Sequence, residues 1–184
     1  MIKPALIPAE QASRFYRNWL NGDRKNRQVQ INALIQAPLT DVNFMTLLKH
    51  EMEAGYALPR AMRRLRNLII CAIINRDLSG KADLSEVVET ITRFAEFTIR
   101  TLLKTLYDDM MESHGMPIGT SSGTQQELIV LGMGKLGGRE LNVSSDIDLI
   151  FVYPENGETI PTNTKHQRLL SNQEFFIRLG RRLI

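Results

Sequence analysis

Residues 128–151, LIVLGMGKLGGRELNVSSDIDLIF, read as an apolar strand, a glycine-rich turn, a very short helix and a second apolar strand. The second strand is expected to begin near Asp146 and to carry Asp146 and Asp148, separated by a single residue. Side chains at i and i+2 of a strand point to one face, so the two carboxylates project together. Neighbouring carboxylates repel unless a cation lies between them, and a hard, oxygen-liganded ion such as Mg²⁺ suits such a pair. Asp148 falls between Ile147 and Leu149 in an apolar strand, where an unpaired carboxylate is costly, so the expectation is a buried acidic pair that calls for a cation. Ahead of it, the glycine turn supplies backbone N–H groups for phosphate oxygens. A metal beside a phosphate cradle points to chemistry on a nucleotide.

Two other nucleotide-binding readings fail on spacing. Gly132-Met-Gly-Lys-Leu-Gly137 is literally a G-x-G-x-x-G after a strand, the pattern of a dinucleotide site. That site needs a full crossover helix before the next strand, and at most about eight residues, 135–142, are free for one. A P-loop is excluded because no G-x-x-x-x-G-K-[ST] occurs.

Upstream, residues 1–112 read as a bundle of helices joined by short turns. Residues 10–20 form the first and end at Asn21-Gly22-Asp23; residues 27–36 form the second, closed by Pro38. Asp41 is expected to cap a third, to about residue 54, with Val42, Met45, Leu48 and Met52 on its buried face. Pro59 opens a fourth that carries Met62, Leu65, Leu68, Ile69, Ala72 and Ile73 inward and ends near Ser79-Gly80. A fifth, capped by Asp83 with Glu86, keeps an apolar stripe from Leu84 to Met110 and forms the spine of the bundle. The arginines Arg60, Arg63, Arg64 and Arg66 of the fourth helix form a solvated face or a contact for phosphate or an acidic partner.

Residues 113–126 are rich in turn formers and read as a linker, which leaves residues 127–184 as the start of a second domain. There the strand after the aspartates, 149–153, is apolar on both faces and so expected to be central in its sheet. Residues 154–168 read as a mobile polar loop, and Ser171 with Glu174 caps a helix that carries Phe175, Phe176, Leu179 and Leu183 and is still running at Ile184. The fold class is therefore α+β: a helical bundle followed by the beginning of a mixed sheet with short helices. Two confident strands alone are marginal in water, so the chain reads as the front piece of a longer polypeptide.

Composition narrows the function further. The 184 residues are 43% apolar and 23% charged, ordinary for a globular protein. The absence of an apolar run near 20 residues, and of an apolar N-terminal leader, makes the cytoplasm the expected compartment. The single cysteine, Cys71, lies in LIICAII, where a buried, inert thiol is expected. His50, His114 and His166 form no ligand pattern. The net charge of +3 comes from residues 1–112, which hold 16 Lys/Arg against 13 Asp/Glu, too slight an excess to argue for nucleic acid.

Gly134, eleven intervening residues and then Asp146-Ile-Asp148 followed by apolar residues resembles the signature of the polymerase-β-like nucleotidyltransferase superfamily. The longer string LGMGKLGGRELNVSSDIDLIF resembles the glutamate–ammonia-ligase adenylyltransferase family, bifunctional enzymes that attach AMP to a tyrosine of glutamine synthetase and remove it. The wording Gly132-Met-Gly-Lys and Asn142-Val-Ser-Ser-Asp-Ile-Asp, together with some 110 helical residues after Met1, is more like that family's N-terminal, deadenylylating half than its adenylylating, ATP-dependent half.

The resemblance implies that Asp146 and Asp148 bind one or two Mg²⁺ ions, and that Gly134 and Lys135 open a phosphate-holding turn. Ser144 and Ser145 position a ligand or a carboxylate, or serve only the turn; Arg139 is a weaker candidate for a phosphate contact. The implied reaction is phosphorolysis, in which phosphate attacks the AMP phosphorus on the modified tyrosine and gives ADP. The implied partners are glutamine synthetase, ATP or ADP, AMP-tyrosine, phosphate and a PII-type nitrogen regulator. The superfamily usually takes a third carboxylate from a later strand. Glu155 and Glu158 fall in the expected loop and are poor substitutes, so the 184 residues alone are expected to be inactive. A helical module that only docks a partner is the competing class of function.

Overall fold

The computed structural model describes residues 7–162 and 167–184; Met1 and His166 lie outside the described residues. The chain divides into two compact units, one of Met1–Phe97 with Arg139–Asp146, the other of Thr98–Gly138 with Ile147–Ile184.

The first unit is helical: α1 (Ala9–Ala12), α2 (Arg14–Asn21), α3 (Arg24–Leu34), α4 (Asp41–Glu53), α5 (Leu58–Leu78) and the first turns of α6 (Leu84–His114). The single first helix expected from the sequence is two. Ser13 takes an extended conformation between α1 and α2, and its hydroxyl accepts the Tyr16 N–H at 3.1 Å, capping α2. On α4 the expected cap is displaced by one residue. Thr40 and Asn43 close a reciprocal capping box, and Asp41 accepts a hydrogen bond from the Arg93 guanidinium at 2.8 Å instead.

The buried face of α4 also differs from the expected one. Phe44, Leu48 and Glu51 face inward, whereas Val42 and Met45 are 74% and 54% exposed. Phe44 wins because its ring meets Phe94 and Phe97 at centroid distances of 5.3 and 5.7 Å, and a buried aromatic ring contributes more than Val or Met. The middle of α5 forms the core of this unit, with Leu65, Ile69, Cys71, Ala72 and Ile73 fully buried. Arg76 is buried too, and its guanidinium reaches the Glu86 carboxylate at 2.6 and 3.0 Å and the Ile35 carbonyl at 2.8 Å. The fifth helix starts after Asp83, whose carboxylate accepts the Glu86 N–H at 2.8 Å, and runs on to His114; Val87, Ile91, Phe94 and Met110 of the expected stripe are buried together with Phe97 and Tyr107, whereas Leu84, the first residue of the helix, is 76% exposed.

The second unit holds the later turns of α6, then β1 (Met116–Gly119), β2 (Ile129–Gly132), α7 (Gly134–Gly137), β3 (Leu149–Val152), β4 (Gly157–Ile160) and α8 (Asn172–Leu183). β1 pairs with β4 and β2 with β3, both antiparallel. The stretch that reads as a linker thus contributes β1, and the expected mobile loop contains β4, its partner. Turn-forming composition masked a short strand whose side chains alternate in burial. Tyr107, Met110, Leu128, Leu170, Phe175, Phe176 and Leu179 make one core, with the Tyr107 and Phe175 rings edge to face at 5.7 Å. Ser171 caps α8 as expected, accepting the Glu174 N–H at 3.2 Å.

β3 is not central among the described residues. The cross-strand pairs Ile129 with Val152 and Leu131 with Ile150 share one face of the ribbon, and these four side chains are 42 to 46% exposed.

Candidate functional site

The glycine turn is built by steric necessity. Gly134 has φ +53°, in the left-handed region that disfavours side chains, and opens α7 directly after β2. A Cβ at Gly132 would lie 2.7 Å from Leu136 Cγ, and one at Gly137 would lie 2.5 Å from the Gly132 carbonyl oxygen. These two glycines let the short helix fold back onto the strand, with Leu136 buried beneath it. The helix spans only one turn, shorter than the eight residues the spacing allows.

Asp148 is brought to this turn. Its carbonyl accepts the Met133 N–H at 2.9 Å, which continues the β2–β3 ladder by one bond, and a Cβ placed on Gly134 would lie 3.8 Å from Asp148 Oδ2. Lys135, the second residue of α7, is exposed.

Asp146 and Asp148 both precede β3 rather than lying within it, and both are exposed. The expected buried acidic pair is therefore an exposed one, and burial places no demand for a cation on it. Ile147 is itself exposed, and the apolar neighbours in sequence do not enclose Asp148. Two accessible carboxylates two residues apart fit part of the oxygen shell of a hard divalent cation, whose other positions water and phosphate oxygens commonly fill. Among the described residues no three His, Cys, Asp or Glu side chains cluster to hold an ion by themselves.

In the first unit, the segment that ends at Asp146 is held at three points. Leu141 is fully buried. Asn142 organises the turn after it: its Oδ1 accepts the Ser144 N–H and both serine hydroxyls at 3.0 Å, and its own N–H donates to Ser145 Oγ at 3.1 Å. Ser144 and Ser145 thus have hydroxyls engaged by the turn. Arg139 is the third point, its guanidinium on Glu89 at 2.8 and 3.2 Å and on Glu96 at 2.7 Å. The Arg139 hydrogen bond is the chief cause that holds the Glu89 carboxyl below its ordinary pKa, and Glu89, then Glu96, raise that of Arg139.

Sequence reasoning did not single out Asn142, Glu89 or Glu96. The Asn-x-Ser-Ser pattern is a local turn signal that could have found Asn142, but the glutamates lie 43 and 50 residues from Arg139 and nothing local marks them. Glu155 accepts N–H groups of Ser121 and Ser122 in the loop after β1, and hydrogen bonding, from the Ser122 side chain first and then the Ser121 backbone, holds its carboxyl below the ordinary pKa. In the arginine cluster, Arg64 pairs with Glu51, and Arg60 and Arg64 lie over the Tyr56 ring at 4.9 and 4.2 Å, which fits a solvated, packed face.

A model of the family described as glutamate-ammonia ligase adenylyltransferase matches residues 11–184. Among curated proteins, the chain is 54% identical over 132 residues to one from Ralstonia nicotianae, which takes in 72% of this chain and 13% of that protein. It is 43% identical over 180 residues to one from Aromatoleum aromaticum, with 98% and 18% covered, and 50% identical over 177 residues to one from Nitrosomonas europaea, with 94% and 18% covered. All three are named bifunctional glutamine synthetase adenylyltransferase/adenylyl-removing enzyme. The chain spans less than a fifth of the length of each of these relatives.

Proposed function

We propose a function from the premise that this chain belongs to the glutamate-ammonia ligase adenylyltransferase family: it is part of a nucleotidyl-transfer enzyme, and the half it belongs to removes AMP from an adenylylated tyrosine of glutamine synthetase. The nucleotidyl-transfer part is supported by the family match, which spans residues 11–184 and so takes in the glycine turn and the Asp146-Ile-Asp148 motif, and the AMP-removing direction by the likeness of Gly132-Met-Gly-Lys and Asn142-Val-Ser-Ser-Asp-Ile-Asp to the deadenylylating half. In this assignment residues 127–184 form the first part of the catalytic domain, and residues 1–112 the helical region before it.

The reaction is phosphorolysis. An oxygen of inorganic phosphate forms a bond to the AMP phosphorus, the bond from phosphorus to the tyrosine oxygen breaks, the tyrosine takes up a proton, and ADP leaves. No nucleophilic side chain is required; the work is positioning and charge stabilisation. Asp146 and Asp148 are the residues that would hold Mg²⁺, which when bound neutralises charge on phosphate oxygens. The turn at Gly134 leaves backbone uncovered by a side chain next to Asp148, and Lys135 brings a positive charge to the same turn. Asn142 fixes Ser144 and Ser145 and so the conformation from which Asp146 emerges.

The adenylylating direction is the competing assignment, and one experiment separates the two. In a chimera that carries this chain in place of the matching residues of the Nitrosomonas europaea relative, Asp146→Asn with Asp148→Asn is expected to abolish phosphate-dependent release of ADP from adenylylated glutamine synthetase. ATP-dependent adenylylation should persist. Loss of adenylylation with retained ADP release would reverse the assignment, and retention of both would remove the two aspartates from the chemistry.

A further inference from the structure

Arg139 stands next to the glycine turn in sequence, in a stretch whose resemblance is to a phosphate-handling motif, so a direct contact with phosphate is its obvious role. Its surroundings argue otherwise. Every guanidinium nitrogen is committed: Nε and Nη2 form a fork on the two oxygens of Glu89, and Nη1 donates to Glu96. Glu89 and Glu96 are seven residues apart on α6, two turns along one face, so one planar group bridges both turns. The backbone is set for this task. Arg139 is the one non-glycine among the described residues with positive φ, +58°, in the left-handed region that residues with a Cβ seldom adopt. After it the chain drops Leu141 into the core of the same unit, makes the Asn142 turn, and reaches Asp146.

We propose that Arg139 is a positioning residue: by clamping Glu89 and Glu96 it fixes the segment Arg139–Asp146 on α6 and so sets where the Asp146 carboxylate is presented, without contacting phosphate or nucleotide itself. The inference rests on the assignment of Asp146 and Asp148 as the metal-holding pair. It adds to that assignment a pair of glutamates, far away in sequence, on which the site depends.

The test uses the 184-residue chain, Mn²⁺ as the probe of the carboxylate pair, and hydrogen exchange of residues 140–146 as a readout independent of metal. Arg139→Gln and the double variant Glu89→Gln with Glu96→Gln are expected to weaken Mn²⁺ binding to a similar extent, about three- to tenfold, the range two exposed ion pairs supply. Both should raise exchange at residues 140–146. Arg139→Gly keeps the left-handed backbone without strain but removes the guanidinium, and should behave as Arg139→Gln does. The swap Arg139→Glu with Glu89→Arg should recover at least half of the lost affinity, a rescue that loss of general stability would not give. The clamp is overturned if the glutamate variants leave exchange at residues 140–146 unchanged, or if Arg139→Gln weakens binding of inorganic phosphate while the glutamate variants do not. If the unaltered chain binds no Mn²⁺, or Asp146→Asn leaves Mn²⁺ binding intact, the metal assignment fails by itself. The exchange data, with the swap restoring protection or not, then still decide whether Arg139 holds the segment.

Discussion

At Gly134 the sequence and the structure agree for a reason that can be measured. With φ at +53° the residue sits where a Cβ crowds the backbone, so Gly134→Ala should cost about 1 kcal/mol in urea unfolding, and more if β2 and α7 shift to relieve it. Cys71 is a second residue whose fate was legible, because an apolar run on both sides leaves a thiol no water. Burial pushes its pKa up to about 12. The folded chain should therefore show no rise in reaction with a disulfide reagent between pH 7 and 10, and modification should follow global unfolding in urea. A thiol that reacts rapidly at pH 8 in the folded chain would contradict this burial. The aspartates were legible as a pair but not in their setting. Exposure of Asp148 depends on what covers the strand end, and the residues beside it in sequence do not report that.

At the level of elements, periodicity located the helices well because an apolar stripe on a helix must face something, and α5 and α6 have long stripes. It failed on α4, where Val42, Met45 and Met52 share spacing with Phe44 and Leu48, and only the rings of α6 decide which set turns inward. The short strands β1 and β4 were hidden by turn-forming composition, since their pairing is a contact between distant residues. The link from α5 to α6 was hidden for the same reason. Glu86→Ala leaves the buried Arg76 guanidinium without its carboxylate and should cost about 3 kcal/mol in chemical denaturation, against a few tenths for removal of the exposed Lys104–Asp108 pair. The clamp on α6 carries a pH signature. Glu89 is held below its ordinary pKa by Arg139, so its contribution is complete above the ordinary value and is lost as pH falls through the lowered one. A carbon-detected NMR titration should find the Glu89 midpoint below that of an exposed glutamate, and Arg139→Gln should return it to the ordinary range.

For the whole molecule, the family was legible in one 24-residue stretch, and the α+β class in that stretch together with the helical stripes before it. No helix among the described residues is long and apolar enough to cross a membrane. The exposed face of Ile129, Leu131, Ile150 and Val152 makes a physical prediction for the chain alone. Leu131→Thr with Ile150→Thr should lower binding of a hydrophobic dye and self-association measured by light scattering, with a loss of stability within about 1 kcal/mol because neither residue is enclosed. The central claim is that Asp146 and Asp148 form a metal-dependent nucleotide site, and calorimetric titration of the chain with ADP tests it most directly. ADP should bind when Mg²⁺ is present and not when it is chelated, and Asp146→Asn with Asp148→Asn should abolish that binding in a chain whose circular dichroism is unchanged. Equal binding of ADP by the double variant, or binding of NAD without Mg²⁺, would contradict it.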